Sequence, residues 1–133
     1  MNSLSDLQEG KSLQVIQLKP VSRLDLIKYA GASGDYNPIH TIDEEARKAG
    51  LPGIIAHGMW TMGNLAKLFT PYYHEGFVKD YSVRFIGKVF LNDVITLKAT
   101  LKEKFDQQYR FDVAVVNQHD SEVVKGEVIF SKY

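Results

Sequence analysis

The chain has 133 residues and balances 16 basic against 16 acidic side chains, so no net field draws it to nucleic acid or to a polyanionic surface. It holds no cysteine, which excludes disulfides, cysteine-ligated zinc and thiolate nucleophiles. Length allows one core, and no repeat, low-complexity tract or linker-like stretch divides it, so one domain over residues 1–133 is expected.

In chain order, Met1 to Asp6 lacks the basic and apolar regions of a secretory leader, and a cytoplasmic protein is the expectation. Leu13, Val15 and Leu18 predict a short strand-like start. After Pro20, an apolar run of 3.6-residue period through Leu24, Ile27, Lys28 and Ala30 predicts a first helix ended by Gly31 and Gly34. A second short helix is predicted from Asp43 to Ala49, stopped by Gly50 and Pro52. An extended approach over Gly53 to Ala56 then leads to a longer helix that begins near His57 or Gly58, carries Met59, Met62, Leu65, Ala66 and Phe69 on one stripe, and breaks at Pro71. The run from Ala49 to Ala66 has no Lys, Arg, Asp or Glu, but Pro52, four glycines, His57, Thr61 and Asn64 make it a buried segment and not a membrane span.

After Lys79 the period becomes two. Tyr81, Val83, Phe85 and Gly87 share a face, followed by Ile95, Leu97, Ala99 and Leu101, then Phe111, Val113 and Val115, then Val124, Gly126, Val128 and Phe130. Turn residues separate these runs at Asn92-Asp93, Asp106-Gln107 and Asn117 to Ser121. Four consecutive antiparallel strands packed on one apolar helix make an α+β architecture.

Two motifs carry chemistry. In Gly34-Asp35-Tyr36-Asn37-Pro38-Ile39-His40, a carboxylate and an imidazole stand five positions apart across a turn that Pro38 stiffens. They are the side chains best suited to move a proton near neutral pH. Read from the residues alone, Asp35 or Asn37 capping the following helix competes with an overhanging acid/base pair. Seventeen residues beyond His40 comes Ala56-His57-Gly58-Met59, where Gly58 opens the apolar helix and leaves its amide without an intrahelical partner.

Together, Gly34 to His40, the short helix, and Pro52 to Met59 resemble the MaoC-like hydratases, which include (R)-specific enoyl-CoA hydratases and (3R)-hydroxyacyl-ACP dehydratase subunits of fatty-acid elongation. The resemblance runs from Val21 to Phe130, and Tyr29 to Gly34 with Val83-Arg84-Phe85 fit the dehydratase-subunit branch. It implies a hotdog fold, a curved antiparallel sheet wrapped around a central helix, with dimerisation covering the exposed sheet edge, either with itself or with a related hotdog subunit. It also implies that Asp35 and His40 hold one catalytic water, that the Gly58 amide meets the thioester carbonyl oxygen, and that neither metal nor cofactor takes part. Substrates would be trans-2-enoyl and (R)-3-hydroxyacyl thioesters of CoA or acyl carrier protein. Which of Asp35 and His40 is the primary base stays open.

Asn37 is read as support for the turn. His57 is read as a buried histidine satisfied by main chain, with a third proton carrier as the alternative. Tyr36 and Trp60 are read as core filling, with lining of an acyl tunnel as the alternative. No nucleotide-binding glycine loop, His-Glu-x-x-His or Gly-x-Ser-x-Gly is present. Two rival functions remain: a hotdog thioesterase, disfavoured because Ala56 to Tyr73 holds no acidic residue, and a non-catalytic acyl-thioester-binding subunit, disfavoured because both Asp35 and His40 are present.

Overall fold

Capping residues set the helix boundaries. The structure, a computed structural model, describes residues 3–133; Met1 and Asn2, part of the stretch read for a leader, lie outside the described residues. Ser22 and Asp25 form a reciprocal capping box that starts helix α1 (Arg23–Ser33), a device that contributes about 1 kcal/mol. Gly34, at φ 76°, ends it, while Gly31 lies inside the helix and does not interrupt it. Leu26 and Ala30 are the buried pair on α1, whereas Leu24 and Ile27 of the expected apolar run face outward.

Helix α2 (Asp43–Lys48) has Asp43, Glu44 and Glu45 in its first turn and Arg47 and Lys48 in its last, charges that complement its dipole. Helix α3 (Gly58–Leu65) is shorter than expected and continues as two 3-10 turns, Ala66–Leu68 and Thr70–Tyr72. Its buried stripe is Thr61 and Leu65, extended by Leu68 and Phe69, while Met59 is 57% exposed. The phase differs from the expected one because His57, the N-cap residue, turns inward; positions 61 and 65 follow at intervals of four, which leaves Met59 on the outer side.

Five strands are described: β1 (Ile16–Gln17), β2 (Gly76–Phe85), β3 (Thr96–Phe105), β4 (Gln108–Val116) and β5 (Glu122–Lys132). They form one antiparallel sheet in the order β1-β3-β4-β5-β2. Asn92, Asp106 and Asp120 take positive φ at the three predicted turns, where Asn and Asp tolerate the left-handed region. Strand β2 begins earlier than the alternation indicated. A register shift between Val78 and Asp80 breaks the period of two, so the pattern became legible only after Lys79.

The sheet curls around α3. Leu65 and Phe69 are fully buried, and the Phe69 ring stands edge-on to Phe111 at 5.1 Å and stacks with Phe130 at 6.4 Å. Each such ring contributes roughly 1.5–3 kcal/mol by burial. Tyr81 on β2 donates its hydroxyl to the Met62 carbonyl and ties α3 to the sheet; burial holds that phenol above the usual tyrosine range. A curved antiparallel sheet around one buried helix is the hotdog architecture. Among the described residues no helix is long and apolar enough to cross a membrane.

Candidate active site

The loop after α1 holds Asp35 by hydrogen bonds of its own neighbours. The Asp35 amide donates to Ser33 Oγ at 3.1 Å, and the Asn37 amide donates to Asp35 Oδ1 at 3.2 Å. Asn37 Oδ1 in turn accepts from the Ile39 amide at 3.3 Å and caps the 3-10 turn Pro38–His40. One carboxylate oxygen is thereby pinned, and the other, Oδ2, faces His40 Nε2 at 4.0 Å. The Asp35 side chain is 51% exposed while that of His40 is 10% exposed, so the pair straddles a boundary between solvent and interior.

The tautomer of His40 follows from its other nitrogen. Nδ1 lies 2.7 Å from the Ile55 carbonyl oxygen, which only accepts, so Nδ1 carries the proton and Nε2 of the neutral ring presents a lone pair to Asp35. Ile55 is itself fixed, because its amide donates to the Ile39 carbonyl and Ala56 donates to Val89. At 4.0 Å the two side chains are too far apart for a direct hydrogen bond. A water roughly 2.8 Å from both would subtend an angle of about 90°, a comfortable geometry for one molecule bridging two acceptors.

His57 comes in behind the pair. Its ring stacks on His40 with centroids 3.8 Å apart and planes 24° apart, and Tyr29 of α1 meets it edge-on at 4.8 Å. Nε2 of His57 donates to the main-chain carbonyl of Asp35 at 3.1 Å, while buried Nδ1 has no partner among the described residues. Main chain thus satisfies one nitrogen, as expected, and leaves the other alone. Burial is the largest influence and lowers the His57 pKa below its ordinary 6.5, with the Asp35 hydrogen bond opposing and His40 adding to the depression.

Gly58 opens α3 beside a cavity of ≈ 180 Å³ lined by His40, Ile55, Gly58, Thr61, Phe85 and Val89, among others. The Phe85 ring lies over Gly58, so close that a Cβ there would sit 3.2 Å from it. Neither Tyr36 nor Trp60 lines this cavity: Tyr36 is 69% exposed, which corrects its reading as core, and Trp60 packs half-buried against the core. Phe85, Thr61 and Val89 escaped the sequence reading as site residues because nothing in a strand alternation tells which residue reaches a helix start. A larger hollow of ≈ 530 Å³ across β2 and β5 is lined by Arg84, Lys125, Asp112 and Glu127 and does not include Asp35 or His40.

Asp35, His40 and His57 each bring a possible ligand atom within 4.8 Å of the others. His57 Nε2 is committed as a donor to the Asp35 carbonyl, which leaves the lone pair of that ring on Nδ1, while Asp35 Oδ2 and His40 Nε2 face one another across 4.0 Å.

Fold and site together define a hotdog domain with an aspartate–histidine pair beside the start of its buried helix. The MaoC like domain matches residues 6–123, and the chain belongs to that family; its relatives include proteins named as hydratases and dehydratases. It is 31% identical over 127 residues to the 3-hydroxybutyryl-CoA dehydratase of Methylorubrum extorquens, covering 93% of this chain and 80% of that protein. It is 32% identical over 108 residues to the fatty acid synthase subunit beta of Aspergillus oryzae, covering 78% of this chain but only 5% of that subunit. In structure it is similar to the unliganded R-hydratase PhaJ1 of Pseudomonas aeruginosa, with a TM-score of 0.89 at 24% identity over 98% of this chain and 85% of that one. The fold is shared also with the ChsH1-ChsH2 complex from Mycobacterium tuberculosis, with a TM-score of 0.85 at 17% identity over 95% of this chain and 98% of the matched chain.

Proposed function

We propose that this chain is a hydro-lyase that interconverts trans-2-enoyl thioesters and (R)-3-hydroxyacyl thioesters carried on CoA or acyl carrier protein. The observation that carries the reading is the 4.0 Å gap between Asp35 Oδ2 and the lone pair of His40 Nε2, beside the helix start at Gly58. In hydration, water adds its hydroxyl to C3 and a proton reaches C2. The Asp35–His40 pair takes one proton from the water and returns one to C2, so it ends as it began. Negative charge that develops on the thioester oxygen is met by the Gly58 amide, one of the unpaired donors at the α3 start. Exposure of Asp35 gives solvent a route to the pair, and the apolar side chains Ile55, Val89 and Val124 offer an acyl group a dry wall.

The same reading makes the protein one cytoplasmic domain that works paired with a second hotdog subunit. Supporting the pairing, β2 is a ten-residue edge strand, with Phe77, Phe85 and Ile86 about half exposed along or just beyond it. Against hydrolysis, α3 carries no acidic side chain. Purified protein with crotonyl-CoA tests the proposal: loss of enoyl-thioester absorbance with formation of a 3-hydroxyacyl product supports it, and release of free thiol without that product overturns it in favour of a thioesterase.

A further inference from the structure

The Asp35 loop and the His40 turn come from one side of the chain, yet both lean on a single ring from another element. His57 Nε2–H holds the Asp35 carbonyl at 3.1 Å, and the face of the same imidazole lies 3.8 Å from the centroid of His40. Asn37 also meets both, but from within the same loop, its amide donating to Asp35 Oδ1 and its carbonyl accepting from the His40 amide, and Ile55 acts on His40 alone; among the hydrogen bonds and ring contacts of the described residues, His57 is the side chain from another element that reaches both.

We propose that His57 is a positioning residue which, as a neutral ring protonated on Nε2, sets the separation and mutual orientation of Asp35 and His40. The inference rests on the hydratase reading and deepens it. Its geometry explains why a histidine serves here: the position needs a flat ring to stack on His40 and, in the ring plane, an N–H aimed at the Asp35 carbonyl. The titratable groups that face it are His40, Asp35 and Tyr29. Burial is the largest influence on His57 and lowers its pKa below the ordinary 6.5, which favours the uncharged ring at neutral pH. His57 holds the Asp35 main chain and stacks on the His40 ring, so in this proposal its influence passes through the pair. A displacement of about 1 Å in a catalytic group is enough to cost on the order of 10²-fold in rate.

Two variants divide the roles. His57→Phe keeps a ring to stack but has no donor, and His57→Gln keeps a donor but has no ring. With crotonyl-CoA, each should lower kcat per folded site by roughly 10- to 100-fold and change KM by less than about 3-fold, with the folded fraction fixed by thermal unfolding. A residue that only stabilises the fold would lower the folded fraction and leave kcat per site alone. Imidazole 15N NMR of the resting wild-type protein, which needs no substrate, should show His57 neutral and protonated on Nε2. Unchanged kcat in both variants, a loss confined to KM, or an Nδ1–H tautomer would overturn the proposal. A wild-type protein that hydrates nothing counts against the hydratase reading instead, and the NMR tautomer then decides the His57 geometry separately.

Discussion

Replacing Gly58 separates the cost to folding from the cost to rate. A Cβ at this position would lie 3.2, 3.3 and 3.4 Å from three carbons of the Phe85 ring. That ring belongs to a residue 48% exposed, so it has room to yield by a few tenths of an ångström. Gly58 has no left-handed backbone that a side chain would strain, and exchanging glycine for alanine in a helix regains about 0.5–1 kcal/mol of chain entropy. Crowding and entropy therefore oppose each other, and Gly58→Ala should stay within about 1 kcal/mol of the wild-type stability. Rate is another matter. A side chain there stands between the cavity and the α3 amide, and loss of one oxyanion donor costs about 2.7–4 kcal/mol, or 10²–10³ in kcat. Gly58→Val, with the larger branched side chain, should reach that range. Crotonyl-CoA turnover at saturation together with urea midpoints gives both quantities from the same preparations. Wild-type kcat in Gly58→Val would refute the role of this amide.

Asp35→Asn and His40→Ala should each lower kcat by roughly 10²–10⁴-fold with the fold intact by circular dichroism, and the double variant should be far less impaired than the product of the single losses; full activity in either single variant would remove the pair. For pH, His57 titrates at 6.5 when unfolded and lower when folded, so below 6.5 the unfolded chain binds the extra proton. Its contribution to stability is complete above about pH 6.5 and declines as pH falls from there toward the folded pKa, no more steeply than about 1.4 kcal/mol per pH unit. Urea midpoints between pH 5 and 8 measure this, and His57→Phe should flatten that part of the profile; an unaltered profile would assign the loss to other groups. Sedimentation at micromolar concentration should find a dimer, or a pair with a related hotdog subunit, and a stable active monomer would contradict the covering of the β2 edge.

The residues that announce themselves in the sequence are those with local reasons. Asp35 and His40 stand out because Pro38 and Asn37 fix the turn between them, with hydrogen bonds that join residues two or three positions apart. The strand boundaries were legible at Asn92, Asp106 and Asp120, where side chains that tolerate positive φ mark the turns. What depends on phase was harder to read. Periodicity counts apolar residues and so puts Met59 on the α3 stripe with Leu65 and Phe69, whereas the helix is rotated by an inward His57 and buries Thr61 in place of Met59. The start of β2 was hidden by its bulge, and the contact of Phe85 with Gly58 joins residues 27 positions apart, beyond any local pattern. His57 shows the same limit: its motif was visible, but its stacking on His40 exists only once the two segments meet.

The most direct measurement is the hand of the product. The hand follows from which face of the enoyl group meets the Asp35–His40 pair while Gly58 holds the thioester oxygen, and the resemblance to the (R)-specific hydratases implies that water addition to crotonyl-CoA gives the (R)-3-hydroxyacyl thioester. The reaction should proceed without nicotinamide and survive treatment with EDTA if, as proposed, the pair itself moves the protons. Chiral analysis of the product after hydration decides the matter: a predominance of (R) alcohol is the predicted result, and a predominance of (S) alcohol, or free thiol with no hydroxyacyl product, would contradict the account.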